Sequence, residues 1–394
     1  MAWPLARSID SARLRAEPVQ EIETSGIARG DLVFCERLLS EVSRTFALSI
    51  QSLPTELRNA VCVAYLLCRT VDTVEDDPQV TPLARRELFD AFDAALTAAA
   101  AGDASLSRAF EVLAQTAKLG AGSEAELCSR AGAVFRPFAA LPPPVRALIQ
   151  PRLLQMSHGM RAYSERAQAE GRLQIRDLPD LELYCYYVAG TVGELLTDLF
   201  MLACPVDSTR RAELIARSVR FGLALQLVNI LKDVVEDSQR GACFLPKAQA
   251  EAEGLDLSRL LEPTQRAAGL RLLRTLARRA REHLHEAEQY TRLWPLTAAG
   301  REVRLFCAGP LALALGTLRE VEHGDDALRK DRAPTVSRLF VLRTFEQMKN
   351  AVGAPEQAES DRLLALLFDR ARVGVAGRPV RPAVPPVEVG EQLT

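Results

Sequence analysis

The sequence predicts an all-α protein, a single large helical bundle. Three observations predict it. Between its two ends the chain is rich in Ala, Leu, Arg and Glu, and strand-like alternation is scarce. Gly and Pro fall between long blocks of apolar residues at helical period. Two of those blocks are apolar on nearly every side, the pattern of helices buried inside a bundle.

The bulk numbers allow this and exclude other classes. The 394 residues are long for one domain but suit a large helical one, and 48% hydrophobic residues supply a substantial core. Lys plus Arg is 49 against 51 for Asp plus Glu, a formal charge of -2. A near-neutral chain has no basic footprint for nucleic acid, so any phosphate chemistry must rest on local cations or on metal. The eight cysteines form no C-x-x-C pair and most sit in apolar stretches, as buried reduced thiols do. His283 and His285 are two apart and share no helix face, so no zinc site is suggested. The N-terminus has no continuous apolar region of the secretory kind, and no stretch reaches the ~18 apolar residues of a membrane span. A cytoplasmic protein is expected, with peripheral membrane contact left open.

The elements follow in order. Residues 1–30 are polar and mixed and read as a flexible N-terminal arm. Residues 31–372 form the domain. Residues 373–394, with Pro379, Pro382, Pro385 and Pro386, read as a proline-rich flexible tail. Within the domain, a first buried helix starts after Leu53-Pro54-Thr55 and stops at Pro78, with Val61 to Cys68 apolar all round. A second runs from about Ala212 to Gly241. A third block starts at Tyr184, where Gly190 and Gly193 weaken the helix or let another backbone or a ligand come close.

The two buried helices end alike, in DTVED at 72–76 and DVVED at 233–237, which match at four of five positions. Asp72 and Asp76 are i and i+4, so their carboxylates share a face one turn apart, and Asp233 and Asp237 repeat this. Like charges at that spacing repel, they oppose the helix dipole at a C-terminus, and burial adds a desolvation cost. Something positive is expected there. Mg²⁺ fits, because it takes oxygen ligands and usually combines one or two carboxylates with substrate phosphates. Helical steps back from Asp76 give Asp72, Arg69 and Tyr65, and steps back from Asp237 give Asp233, Asn229 and Gln226. Each helix thus carries one polar stripe through apolar surroundings, which suggests two stripes facing across a central cavity with metal at its mouth.

At these residues the sequence resembles the squalene and phytoene synthase family, from about Phe34 to about Ala351. The resemblance rests on SRTF at 43–46, RNAVCVAYLLCRTVDTVEDD at 58–77, YCYYVAGTVG at 184–193, QLVNILKDVVED at 226–237 followed by RGACFLP, and the weaker LFCAGPLALALGTL at 305–318. RNAVC leading into DTVEDD is most similar to squalene synthases of the eukaryotic kind. The resemblance implies the isoprenoid synthase fold and a head-to-head condensation of two farnesyl diphosphates. One ionises, its allylic cation is attacked by the other, and presqualene diphosphate forms. That rearranges and is reduced by NADPH to squalene.

Residue roles come with the resemblance. Asp72, Asp76, Asp233 and Asp237 match the Mg²⁺-binding aspartates, with Glu75 and Glu236 as supporting members. Ser43, Arg44, Phe46 and Arg69 match substrate-binding positions, Ser43, Arg44 and Arg69 toward the diphosphate, with Tyr65 on the same face as Arg69. Tyr184 matches the tyrosine that handles a proton in the first half-reaction. Val188, Ala189 and Gly190 match the prenyl channel, and Gln226 and Asn229 match polar residues near the reacting carbons, Asn229 in the reductive step. Without the motif, Tyr184, Tyr186 and Tyr187 would each read as core tyrosines.

The sequence also departs from the family. Lys232 stands where squalene synthases usually have Arg, which keeps the charge and loses the fork. After Asp237 the family often shows a Gly-Arg pair, whereas Arg240-Gly241-Ala242 lacks the second basic residue. The segment at 327–336 only partly matches the region tied to NADPH, with Arg329 and Lys330 as its candidates. These departures keep a non-reductive sister enzyme in view, one that makes presqualene diphosphate, dehydrosqualene or phytoene. A non-catalytic helical scaffold is disfavoured by the four intact aspartates. A monomer or homodimer is expected.

Overall fold

The buried helix expected after Pro54 spans Thr55–Asp76 (α3). Pro54 stands at its N-cap with extended backbone, and Val61 to Leu67 are buried apart from half-buried Tyr65. It stops because Pro78 disfavours helical backbone at Asp77, which is extended at φ -68° and ψ 115°. Arg85 donates Nε to the Val74 carbonyl at 3.0 Å and Nη2 to the Asp77 carbonyl at 2.6 Å, serving acceptors the helix end leaves free.

The computed structural model describes residues 29–323, 327–328 and 334–373, and for Arg44, Thr45, His323 and Arg338 the backbone alone. Before α3 come Arg29–Val42 (α1) and Arg44–Gln51 (α2). After it come Pro82–Ala100 (α4), Ser107–Thr116 (α5), Ser123–Ser129 (α6), Gly132–Ala140 (α7), Pro143–Glu170 (α8) and Leu178–Cys185 (α9). A π-helical turn, Tyr186–Gly190, leads into Thr191–Ala203 (α10). Then follow Ser208–Gln239 (α11), Lys247–Ala252 (α12), Arg266–Leu293 (α13), Ala298–His323 (α14), Arg338–Gly353 (α15) and Gln357–Val373 (α16). No strand occurs among the described residues, where the only bridge joins Gln174 to Cys243. Two domain bounds shift slightly: helix begins at Arg29, inside the expected arm, and α16 includes Val373, the first residue assigned to the tail. The rest of both termini lies outside the described residues.

The second buried helix is α11, which starts earlier than expected because the Asp207 side chain accepts from the Arg210 N–H at 2.9 Å and caps it. By length and apolarity α11 could cross a membrane, contrary to the expectation that no stretch qualifies. Its apolar side chains instead serve the bundle, since α11 packs along α13 and against α10 and α14. The cysteines are free thiols, all buried except half-buried Cys243.

The core divides into two clusters. One is built on α1 to α8 and α10, with α3 at its centre. The other is built on α9, the C-terminal part of α11, and α12 to α16. Val188 and Phe221 are half-buried and pack against both. Phe46 and Tyr65 lie half-buried against the first cluster and Leu225 against the second. Asn229 is accessible although Val228 and Ile230 on either side are 2% and 4% exposed. A polar residue in the middle of a buried helix that still meets solvent marks the cavity between the clusters.

Candidate active site

α3 belongs to one cluster and the end of α11 to the other, so the two acidic motifs approach from opposite halves. Asp76 shows that they meet. Its side chain is exposed to solvent at the end of α3. Although exposed, it stands close enough to the protein that desolvation, together with Asp72, pushes it up to about 7. Arg240 and Arg69 oppose that rise, and Asp237 of the other motif adds to it. Asp72 accepts from Arg69 Nη1 at 2.5 Å and is nevertheless raised by burial. Glu75 is held well above its ordinary value by burial and by Asp76 and Asp72.

On α11, Asp233 is raised by burial against the ammonium of Lys232, 3.1 Å away. Asp237 is 6% exposed and is raised by burial against its ion pair with Arg240. Glu236, outside the expected stripe, is exposed, and Asp237 is buried. Lys232, expected to bind substrate, is engaged by its neighbour Asp233.

This mouth holds more carboxylates than cations, and burial drives them toward protonation. A divalent cation would relieve that imbalance. Among the described residues no three His, Cys, Asp or Glu side chains close on one point, so there is no ready all-protein cage. Mg²⁺ binds through one or two carboxylates together with phosphate oxygens and needs no such cage. Asp72, Asp76, Asp233 and Asp237 fit that mode.

Tyr184 lies in the last turn of α9 and is 4% exposed. Its ring stacks on Phe244 at 5.0 Å and meets Tyr163 edge-on at 5.0 Å. Burial, then the charges of Glu75, Asp76 and Asp72, hold its phenol far above the ordinary range. At neutral pH it is a neutral O–H next to the first acidic motif. Tyr186 and Tyr187 lie on the π-helical turn and point elsewhere. Tyr186 donates to Glu194 at 3.1 Å, and the Tyr187 ring lies over Gly159 of α8.

The remaining predicted residues sort by position. Ser43 caps α2, its hydroxyl accepting from the Phe46 N–H at 3.3 Å, which is a structural use of that side chain. Its hydroxyl also bonds Tyr65, whose phenol burial pushes up. The Phe46 and Tyr65 rings are 5.5 Å apart. Val188 and Ala189 are half-buried and Gly190 is buried on the turn beside α11, while Gln226 and Asn229 lie on the accessible face of α11. The backbone of Arg44 begins α2, and its side chain, like Arg329 and Lys330, falls outside what is described. Two other clefts, of about 560 Å³ along α13 and about 570 Å³ between α1 and α3, contain none of the motif aspartates.

Sequence reasoning missed three groups. Glu124 of α6 takes the second Nη of Arg69, Arg85 holds the end of α3, and Phe244 supports Tyr184. Phe244 stood inside a motif already quoted. Glu124 and Arg85 carried no local signal.

Residues 39–339 match the model of the squalene/phytoene synthase family. The chain belongs to that family. It is 31% identical over 322 residues to the squalene synthase ERG9 of Candida albicans, covering 79% of this chain and 67% of that protein. With the squalene synthase ERG9 of Saccharomyces cerevisiae the identity is 30% over 316 residues, 76% and 65% of the two chains. A solved structure of TcSQS with the ligand BPH1237 superposes with a TM-score of 0.70 at 27% identity, covering 89% of this chain and 94% of that one. A dehydrosqualene synthase shares the fold, with a TM-score of 0.59 at 22% identity. Membership fixes the isoprenoid synthase fold and makes this a prenyl-condensing enzyme like its squalene synthase relatives.

Proposed function

We propose that the protein condenses two farnesyl diphosphates head to head through presqualene diphosphate and, with NADPH, completes the reaction to squalene. The observation that carries this is the proximity of two acidic helix ends, one from each half of the core, with Tyr184 buried close enough to the first to feel its charges. In the first step the C1–O bond of one farnesyl diphosphate breaks and its diphosphate leaves, that carbon forms two bonds across the C2=C3 double bond of the other to close a cyclopropane, and one C1 proton is lost. Presqualene diphosphate then loses the second diphosphate, and reduction gives the C30 hydrocarbon.

Asp72, Asp76, Asp233 and Asp237 would hold Mg²⁺, which when bound supplies positive charge against the departing diphosphate. Arg69 offers its guanidinium fork to phosphate oxygens, and Glu124 fixes its angle. Tyr184, neutral and held by its ring contacts, is placed to relay the proton lost in the first step. Phe46, Tyr65, Val188 and Phe221 wall the cavity with apolar and aromatic surface. That excludes water from a carbocation and faces it with π density. Of the residues assigned to reduction, only Asn229 is described, and it is exposed on α11.

Incubation with farnesyl diphosphate and Mg²⁺, with and without NADPH, followed by mass spectrometry of the products, tests the reading. Squalene formed only with NADPH is the expected result. Presqualene diphosphate or dehydrosqualene in both incubations would assign the non-reductive chemistry instead. No C30 product would refute the condensation, and geranylgeranyl diphosphate would then test a C40 reaction.

A further inference from the structure

We propose that Arg240 grips the substrate diphosphate at the end of α11, replacing the basic residue that the family places two positions later, where this chain has Ala242. The inference rests on the reading above and extends it to a residue outside the family motif.

Three observations carry it. Arg240 follows the last residue of α11, where a cation is favoured by the helix dipole. It makes an ion pair with Asp237, a residue of the second acidic motif, yet keeps 47% of its side chain exposed, so it has donors to spare beside the acids. The backbone then reverses immediately. Gly241 takes φ +80°, where nothing stands within 4 Å of its missing Cβ, and the Ala242 N–H returns to the Asp237 carbonyl at 2.9 Å. This turn places position 240 over the acids and leads the chain to Phe244, which stacks on Tyr184.

The electrostatics agree. Arg240 is the strongest favourable charge acting on Asp76, ahead of Arg69, and it also acts on Asp233. One guanidinium thus serves carboxylates from both motifs. With metal bound to the aspartates, the same fork is free to meet phosphate oxygens in bidentate fashion.

Titration calorimetry of inorganic pyrophosphate in the presence of Mg²⁺ tests this without turnover. Arg240→Gln should weaken pyrophosphate binding about ten-fold or more, and Arg240→Lys should lose part of that. In kinetics, Arg240→Gln should raise KM for farnesyl diphosphate more than it lowers kcat. The paired change Arg240→Gly with Ala242→Arg, which restores the family order, should recover binding. Circular dichroism and thermal melts check that each variant is folded. Pyrophosphate binding by Arg240→Gln within two-fold of the unaltered protein would overturn the proposal and leave Arg240 as a partner of Asp237. Failure of the folded paired variant to recover binding would overturn the replacement of position 242. An unaltered protein that binds no pyrophosphate with Mg²⁺ would overturn the functional reading and this proposal together.

Discussion

Replacing Tyr184 with phenylalanine removes a hydroxyl and keeps the stack on Phe244 and the edge contact with Tyr163. Turnover should fall about 10²-fold or more if that hydroxyl relays a proton, while the melting temperature stays close to the original. Rate and melt measured together separate a chemical role from a packing one. Asp72→Asn and Asp233→Asn make the complementary test: each relieves a like-charge pair at a helix end, so folding should be kept while turnover disappears. Near-normal turnover in either variant would sink the metal assignment. At this scale the sequence was informative wherever a role depends on spacing along one helix. The pairs Asp72/Asp76 and Asp233/Asp237, with Arg69 and Asn229 behind them, follow from 3.6 residues per turn alone. Glu124 and Arg85 did not, because their partners lie 55 and 11 residues away and only the folded chain brings them together.

Between elements, the close approach of α10 and its π-helical turn to α11 depends on two glycines. A Cβ at Gly193 would lie 2.2 Å from the Ser218 carbonyl oxygen, and one at Gly222 would lie 2.1 Å from that of Ala189. Both obstacles are backbone, so neither can be relieved by a rotamer change. Gly193→Ala or Gly222→Ala should cost about 1–3 kcal/mol in urea unfolding, as the turn that carries Val188 and Ala189 is pushed away from α11. The sequence left Gly193 open between weakening a helix and admitting a neighbour, and the structure selects the neighbour. It gave no sign of the π-helical turn, because insertion of one residue into the helical ladder is decided by packing and not by propensity. A second junction fixes α9 and therefore Tyr184. Asp180 accepts from Tyr163 at 2.9 Å, from Arg166 at 2.9 Å to each oxygen, and from the Arg176 N–H at 2.9 Å. These bonds outweigh burial and hold its carboxyl far below the ordinary range. On the same helix Glu182 is lowered to about 2, where the His283 imidazole 3.4 Å away and a hydrogen bond from Arg279 overcome burial. Both groups have depressed folded-state values, so they stabilise the fold above about pH 4 and lose that contribution as pH falls toward 2. Unfolding free energy should therefore drop steeply over that window. Asp180→Asn should flatten part of the drop and cost about 3–5 kcal/mol at neutral pH, since it leaves Arg166 half-buried without its counter-charge.

For the molecule as a whole, the decisive feature is that its two core clusters supply one acidic motif each. The helical bundle was legible from periodicity, and the cavity from two polar stripes on otherwise apolar helices. The division of the core into halves was not, because it depends on which faces α3 and α11 turn toward each other. That division links ligand binding to global stability. Without a counter-ion the mouth brings carboxylates together at a cost, seen in the rise of Asp76 to about 7. A ligand that neutralises both motifs removes that cost and ties the halves. Ligand present at one hundred times its dissociation constant stabilises the native state by about 2.7 kcal/mol. Since no all-protein cage is ready among the described residues, Mg²⁺ alone and pyrophosphate alone should each raise the melting temperature little. The two together should raise it by much more than the sum of the separate shifts. Asp72→Asn and Asp233→Asn should each abolish the joint effect, although they stand on different halves of the core. A full shift with Mg²⁺ alone would instead indicate a preformed cation site and would move the diphosphate from partner in the metal site to a later arrival.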